Sequence, residues 1–305
     1  MNPQELAKLQ RDFLILTEKR SAVALSNEFD ALKREISLHL RSNLTPETSQ
    51  AAARFVDEII GLLNIETEKF ARLAASIVSR AQRGVINYAS DSLKRFFPKI
   101  SSSIFSPDAR AVEMLIGRMQ TGKSLLNYFR ALKPHIAEQT RRALIEGFAA
   151  GDSSRQIVNR VGAATSGERS RILTIARTET NEAYRAASRE FYQSADIKKY
   201  VWLSVLDSRT CLTCWHLHGR VFKTKVKISA HPNCRCVLVP LIKGQTPMAT
   251  GAEKFLKLEA GFQKQILGAK RFEMFEKGKS FDEFVFSRRD VEYGERYFIK
   301  NLSNL

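Results

Sequence analysis

Four cysteines and three histidines crowd into residues 207–240, DSRTCLTCWHLHGRVFKTKVKISAHPNCRCVLVP, and any fold of this chain has to be built around them. All four cysteines of the protein are here, Cys211, Cys214, Cys234 and Cys236, together with His216, His218 and His231. A CxxC pair is the spacing at which a tight turn aims two thiolates at one ion, and HPNC repeats it with His231 and Cys234. The residues between the two half-sites are the length of one β-hairpin, which brings the halves together. Tetrahedral zinc, one per chain, is the expected occupant. The alternatives are reduced buried cysteines and disulfides. Disulfides fit poorly with a chain whose first twenty residues have no signal-peptide core, and Cys234 and Cys236 are too close for an easy bridge.

Five ligand candidates exceed the four that a closed site needs. Cys211, Cys214 and Cys234 are the firm members, and His231 and Cys236 compete for the last position. His216 and His218 flank Leu217 and read as surface groups or as supports for the ligands. A fully occupied site leaves no coordination position for water, so its metal is structural rather than catalytic.

The stretch is also basic: Arg220, Lys223, Lys225, Lys227 and Arg235 appear without an acidic neighbour. From Val221 to Ile228 apolar residues alternate with lysines, which predicts one half-buried strand with a lysine face. Such a face suits phosphate, and equally suits an edge strand guarded against aggregation. Tyr200–Val205 and Val237–Ile242 are the expected neighbouring strands. Across the chain the net charge is +17, which favours a polyanionic partner, nucleic acid first. No apolar run reaches the length of a membrane span.

The first hundred residues read as helix. Leu6, Leu9, Phe13, Leu16 and Val23 follow three-and-four spacing, which Leu25, Phe29, Leu32, Ile36 and Leu40 continue on a shifted register. Thr45, Pro46 and Glu47 predict a cap and a second helix, with Phe55, Ile59, Leu62, Phe70, Leu73 and Ile77 as its stripe. The two make a helical hairpin. Phe96–Asp108, with two prolines and three serines, reads as a loop or hinge. Shorter helices follow, with breaks near Pro134, Gly151 and Gly162 and capping boxes at Ser153–Gln156 and Thr165–Glu168. Gly117–Ser124, GRMQTGKS, satisfies the P-loop formula, but the residues before it fit a helix rather than the buried strand that phosphate binding needs. It reads as an interhelical turn.

The expected architecture is α+β, mostly α: a long helical hairpin (1–97), a helical connector (98–165), a core with the small β-hairpin and zinc knuckles (166–243), and a C-terminal helical tail (244–305). No nucleophile–base pair demands catalysis.

IARTE, a helix with Asn181 and Tyr184, a strand containing Trp202, DSRTCLTCWHLHG and HPNCRC follow one another between Ile157 and Pro240. In order and spacing these resemble the phage head-morphogenesis family, the Mu F-type minor head proteins. Similarity extends more weakly through FQKQILGAKRFEMFEKGKSFDEFV toward the C-terminus. There Phe262, Ile266, Phe272 and Phe275 are expected to pack back on the domain. The resemblance implies a low-copy virion component inside the head near the portal, assembled in the host cytoplasm. It would contact portal and capsid subunits, lie beside packaged DNA without sequence preference, and act in head assembly, packaging or delivery. Within the motif it implies a structural or partner-contact role for Arg177 and Glu179, and for Asp207 and Arg209 an ordering of the turn before Cys211. The rival readings are a metal-dependent nuclease or toxin-like enzyme with His231 as base, and a cellular zinc-containing DNA-binding protein.

Overall fold

The computed structural model describes residues 3–42, 49–96, 113–242 and 248–305. The fold is α+β and mostly helical. Helices α1 (Pro3–Ser42) and α2 (Ser49–Phe96) are followed by α3 (Leu125–Ala131), α4 (Lys133–Ala149), α5 (Ser154–Ala164) and α6 (Ser166–Ser194). Strand β1 (Lys199–Leu203), helix α7 (Leu212–Leu217) and strands β2 (Val221–Lys223), β3 (Ile228–Ser229) and β4 (Val237–Leu241) form the next section. Helices α8 (Gly251–Phe255), α9 (Ala260–Leu267) and α10 (Ala269–Glu276) precede a hairpin of β5 (Val285–Asp290) and β6 (Gly294–Ile299). The proposed cap at Thr45, Pro46 and Glu47 and the core of the 96–108 loop lie outside the described residues.

The chain divides into two compact units. One comprises Met1–Thr17, Gln82–Ile116 and Asn181–Leu305, the other Glu18–Ala81 and Gly117–Thr180.

The all-helical unit has a core of Leu25, Phe29, Leu32 and Ile36 from α1, Phe55, Ile59, Leu63 and Phe70 from α2, and Phe129, Leu144, Ile157 and Ile172 from the later helices. Phe29 meets Phe70 edge to face at 5.8 Å. In the other unit Phe13 stacks on Tyr88 at 3.9 Å. Residues farther along α1 thus meet residues earlier in α2, the antiparallel pairing of a helical hairpin.

Of the first apolar register expected for α1, Leu6 is buried and Phe13 half-buried, but the other three positions are not. Leu9, Leu16 and Val23 are exposed, while Gln10, Glu18 and Ser21 share the buried face with Leu6 and Leu14. The buried positions of α1 keep a three-and-four spacing that runs through those polar residues to Leu25, Phe29, Leu32 and Ile36. Glu18 is accommodated there because Arg177 forms an ion pair with it. In α2, Leu63 is buried and Leu73 exposed, which moves that stripe too.

Gly117–Ser124 forms a tight loop: the Met119 amide donates to the Lys123 carbonyl at 2.9 Å and the Gly122 amide to that of Met119 at 2.8 Å. A helical turn, not a strand, precedes it, and the helix after it has only seven residues. Pro134 sits in the first turn of α4, Gly151 ends the segment after it with φ +67°, and Ser153–Gln156 closes the capping box of α5. Gly162 lies inside α5, and the Thr165 hydroxyl donates to the Val161 carbonyl at 3.0 Å rather than opening the next helix.

The other unit holds both sheets. In the first, β1 is central and antiparallel to β2 and β4. Pro240 sits in β4, an edge strand, where a missing amide can be tolerated. In the second, β6 pairs antiparallel with β5 and parallel with β3. The single strand expected over Val221–Ile228 is therefore two. Chain reversal at Lys223–Val226, closed by a 2.9 Å amide-to-carbonyl bond, sends β2 to β1 and β3 to β6. Alternation describes each half correctly but says nothing about which strand each half will find.

Behind α7, Trp215, Phe255, Phe272, Phe281 and Phe284 form a separate aromatic core, with Phe262, Ile266 and Phe275 packed on it. The junction is close: the Gly251 amide donates to the His218 carbonyl at 2.7 Å, and a Cβ on Gly251 would meet the Trp215 carbonyl oxygen at 1.7 Å. Only glycine allows that approach. Sequence reading anticipated the helices of this tail but not the β5–β6 hairpin that follows them.

Candidate metal centre

Two turns and one strand deliver the donors. Ahead of the first turn, the Asp207 carboxylate accepts from the Arg209 amide at 3.0 Å, the Arg209 guanidinium at 3.1 Å and the Thr210 hydroxyl at 3.0 Å. An aspartate folding its side chain back on following amides is a local turn device. It delivers Cys211 as the N-cap of α7, where the sulfur accepts from the Cys214 amide at 3.4 Å. The second turn, His231–Cys234, closes by a 3.2 Å bond from the Cys234 amide to the His231 carbonyl, with Asn233 at φ +63°. Asparagine is one of the few residues that enter the left-handed region readily.

Between these turns the donor atoms converge. His231 Nε2 lies 3.2 Å from Cys211 Sγ and 3.0 Å from Cys214 Sγ. Cys214 Sγ is 3.8 Å from Cys234 Sγ and 3.3 Å from Cys236 Sγ. Cys211, Cys214 and His231 form one group and Cys214, Cys234 and Cys236 another, each with its donor atoms within 4.8 Å of one another. A tetrahedral zinc with bonds of about 2.0–2.3 Å sets donors roughly 3.5–3.8 Å apart, so either group of three could hold such an ion, while the five donors do not form one such cluster. All four cysteines are free thiols rather than disulfides, and all but Cys211 are fully buried.

The electrostatics already separate charge within the cluster. The neighbouring Cys214 thiol holds Cys211 down at about 5 against the effect of burial, with His231 assisting. Burial alone would push His231 down, but the Cys211 and Cys234 sulfurs hold it up at about 10. Bonds from Cys214 and Cys236 drive Cys234 well below the ordinary thiol range, whereas burial pushes Cys236 up. A cation bound among these sulfurs would take the place of the shared protons.

Helix α6 holds the second half-site by its carbonyls. Asn181 donates to the Cys234 carbonyl at 3.0 Å, Arg185 to that of Cys236 at 3.1 Å and Tyr192 to that of Leu238 at 2.8 Å. Alternate residues of an extended chain point their carbonyls the same way, so one helix face can reach all three. Arg185 is buried, paired with Glu182 at 2.9 Å and set over the Trp202 ring at 5.8 Å. Sequence reading missed Arg185, Tyr192 and Ser204. The available signal was the run of polar residues interleaved with Ala183 and Ala187 on a helix that must be buried.

The remaining predicted residues disperse. His216 and His218 are buried rather than on the surface: His216 meets Asp282 at 2.8 Å, and His218 lies 3.0 Å from the Lys254 ammonium. Arg177 is paired with Glu18, and Glu179 accepts from the Gln120 amide at 2.6 Å. Of the basic group, Arg220 is tied to Asp282 at 2.8 Å and Lys227 to the Glu292 carbonyl at 3.1 Å, while Arg235 is half-buried. Lys223 and Lys225 are exposed, and Lys223 stands opposite the exposed Lys199. Lys223, Lys225 and Lys227 do not form the one lysine face expected, because the strand that would align them is broken in two.

The cysteine–histidine cluster, braced by α6 in the unit that carries both sheets, could hold a metal ion. Residues 135–239 match the family model described as Phage Mu protein F like protein, to which this stretch is similar. No curated protein and no solved structure matches the chain. Among the described residues no helix is long and apolar enough to cross a membrane.

Proposed function

We propose that this protein is a minor head component of a phage particle, acting in head assembly, DNA packaging or DNA delivery at the portal vertex. The match over residues 135–239 carries the reading. A structural zinc ion in the cysteine–histidine cluster fixes the fold of the module and supplies no chemistry. Portal and capsid subunits are its specific partners, and packaged DNA is a non-specific one that the +17 charge favours. Lys199, Lys223 and Lys225 are the exposed cations best placed for phosphate.

The rival nuclease reading requires His231 as a general base. Its Nε2 faces two sulfurs at 3.0 and 3.2 Å, the position of a ligand rather than of a base open to water. Mass spectrometry of purified particles tests the proposal. The chain should be found in mature heads at low copy and co-purify with portal protein from lysates. Its absence from particles, together with metal-dependent cleavage of DNA by the purified chain, would overturn it.

A further inference from the structure

The β5–β6 hairpin turns one face inward. Val285 sits in the aromatic core behind α7, and Tyr297 packs against Phe222 and His216. Side chains alternate along a strand, so Phe286 and Arg288 of β5 and Arg296 and Phe298 of β6 share the opposite, outward face. Register sets them in two directly opposed pairs, Phe286 with Phe298 and Arg288 with Arg296.

Neither pair is what a face turned only to water needs. Phe286 is 42% exposed, its ring 5.5 Å from that of Phe298. Arg288 is exposed as well, and like charges directly opposite each other weaken a hairpin. Arg296 is nevertheless fixed in place: its guanidinium lies 4.8 Å from the centre of the Tyr293 ring and 5.0 Å from that of Phe298. Stacking of this kind holds the plane of the group and leaves its N–H edge for a phosphate. Asp290, the acidic residue of this face, stands 3.9 Å from Arg296 and already accepts from the Glu292 and Tyr293 amides at 2.9 Å each.

An anion between the two arginines offsets their repulsion, and the neighbouring rings say what else the ligand carries. Positions two apart on a strand are about 6.8 Å apart, so a phosphate held by the arginines brings an adjoining base within reach of the Phe286 ring. Bases in a duplex are stacked on one another and offer no face, whereas an unpaired base stacks readily on an aromatic side chain.

We propose that the outward face of β5–β6 binds single-stranded DNA, with Arg288 and Arg296 on a phosphate and Phe286 stacked on a base. The choice of DNA over RNA rests on the function proposed above.

Fluorescence anisotropy of the full chain with labelled oligo(dT), and with a duplex of the same length, tests it. Phe286→Ala should weaken oligo(dT) binding by roughly 5- to 150-fold and leave duplex binding unchanged, while Phe286→Tyr, which keeps the ring, should retain wild-type affinity. Arg288→Gln should make the slope of log affinity against log salt for oligo(dT) shallower by about 0.7. Equal oligo(dT) affinity in wild type and Phe286→Ala, or equal losses for oligo(dT) and duplex, overturns the proposal. So does loss of portal co-purification from Phe286→Ala with oligo(dT) binding intact, which assigns the face to a protein partner. Tighter binding of oligo(U) than of oligo(dT) overturns the choice of DNA. None of these results depends on finding the chain in particles, so this proposal and the proposed function fail separately.

Discussion

The Asn181 side-chain amide donates to the backbone carbonyl of Cys234 across 53 residues of sequence, at 3.0 Å and out of reach of water. That bond fixes where the second half-site stands relative to α6. Asn181→Leu should leave the carbonyl buried and unpaired, lowering stability by about 1–3 kcal/mol. The same variant should release metal faster to a chelator. Urea denaturation gives the first quantity and a colorimetric chelator the second, and an unchanged midpoint would show that the bond contributes nothing.

Metal removal should act locally. Chelation, or Cys211→Ser, should raise hydrogen exchange through residues 199–241, where the strands depend on the two half-sites meeting. Amides of α2 between Phe55 and Val78, whose core contains no cysteine, should keep their protection. Equal loosening of both stretches would contradict a local role for the ion.

Acid should weaken the all-helical unit through Glu68. Hydrogen bonds from Arg130, then Lys133 and Arg72, hold its carboxyl down from 4.5 to about 2. A depressed folded value means that the stabilisation is complete above the unfolded value and is lost as pH falls from there toward the folded one. Wild-type protein should therefore be more stable than Glu68→Gln at pH 7, with the gap closing between pH 4.5 and about 2. A gap independent of pH would assign the effect to packing instead.

DNA binding should be electrostatic and indifferent to sequence. Replacing Lys199, Lys223 and Lys225 by glutamine should weaken binding equally for unrelated duplexes. The slope of log affinity against log salt should become shallower by about 0.9 for each phosphate that is no longer neutralised. Portal association should survive. Preference for one sequence in a competition assay would favour a regulator.

Lys123→Ala should leave nucleotide behaviour unchanged, because the GKS turn has neither the preceding strand nor a long following helix to cradle phosphate. Calorimetric ATP binding by wild-type protein that disappears in the variant would reverse that reading.

Spacing alone determined the local devices. CxxC and HPNC specify turns whose ligands are close in the chain, and three-and-four apolar spacing specifies helices through contacts within a few residues. The Mu F-type order of motifs was legible for the same reason. Local chemistry also placed Asp207 ahead of Cys211.

Tertiary structure decided what depends on distant partners. Glu18 occupies a buried position of α1, where Arg177, 159 residues away, pairs with it. The alternating run Val221–Ile228 could not reveal that its halves would join different sheets, one beside β1 and the other beside β6. Periodicity records which side chains face inward but not what they face. The contest between His231 and Cys236 was undecidable from spacing, since both lie within hydrogen-bonding reach of Cys214. Folding brings both to Cys214, and sets Ser204 beside Cys236 and the Pro232 carbonyl beside His231 Nδ1.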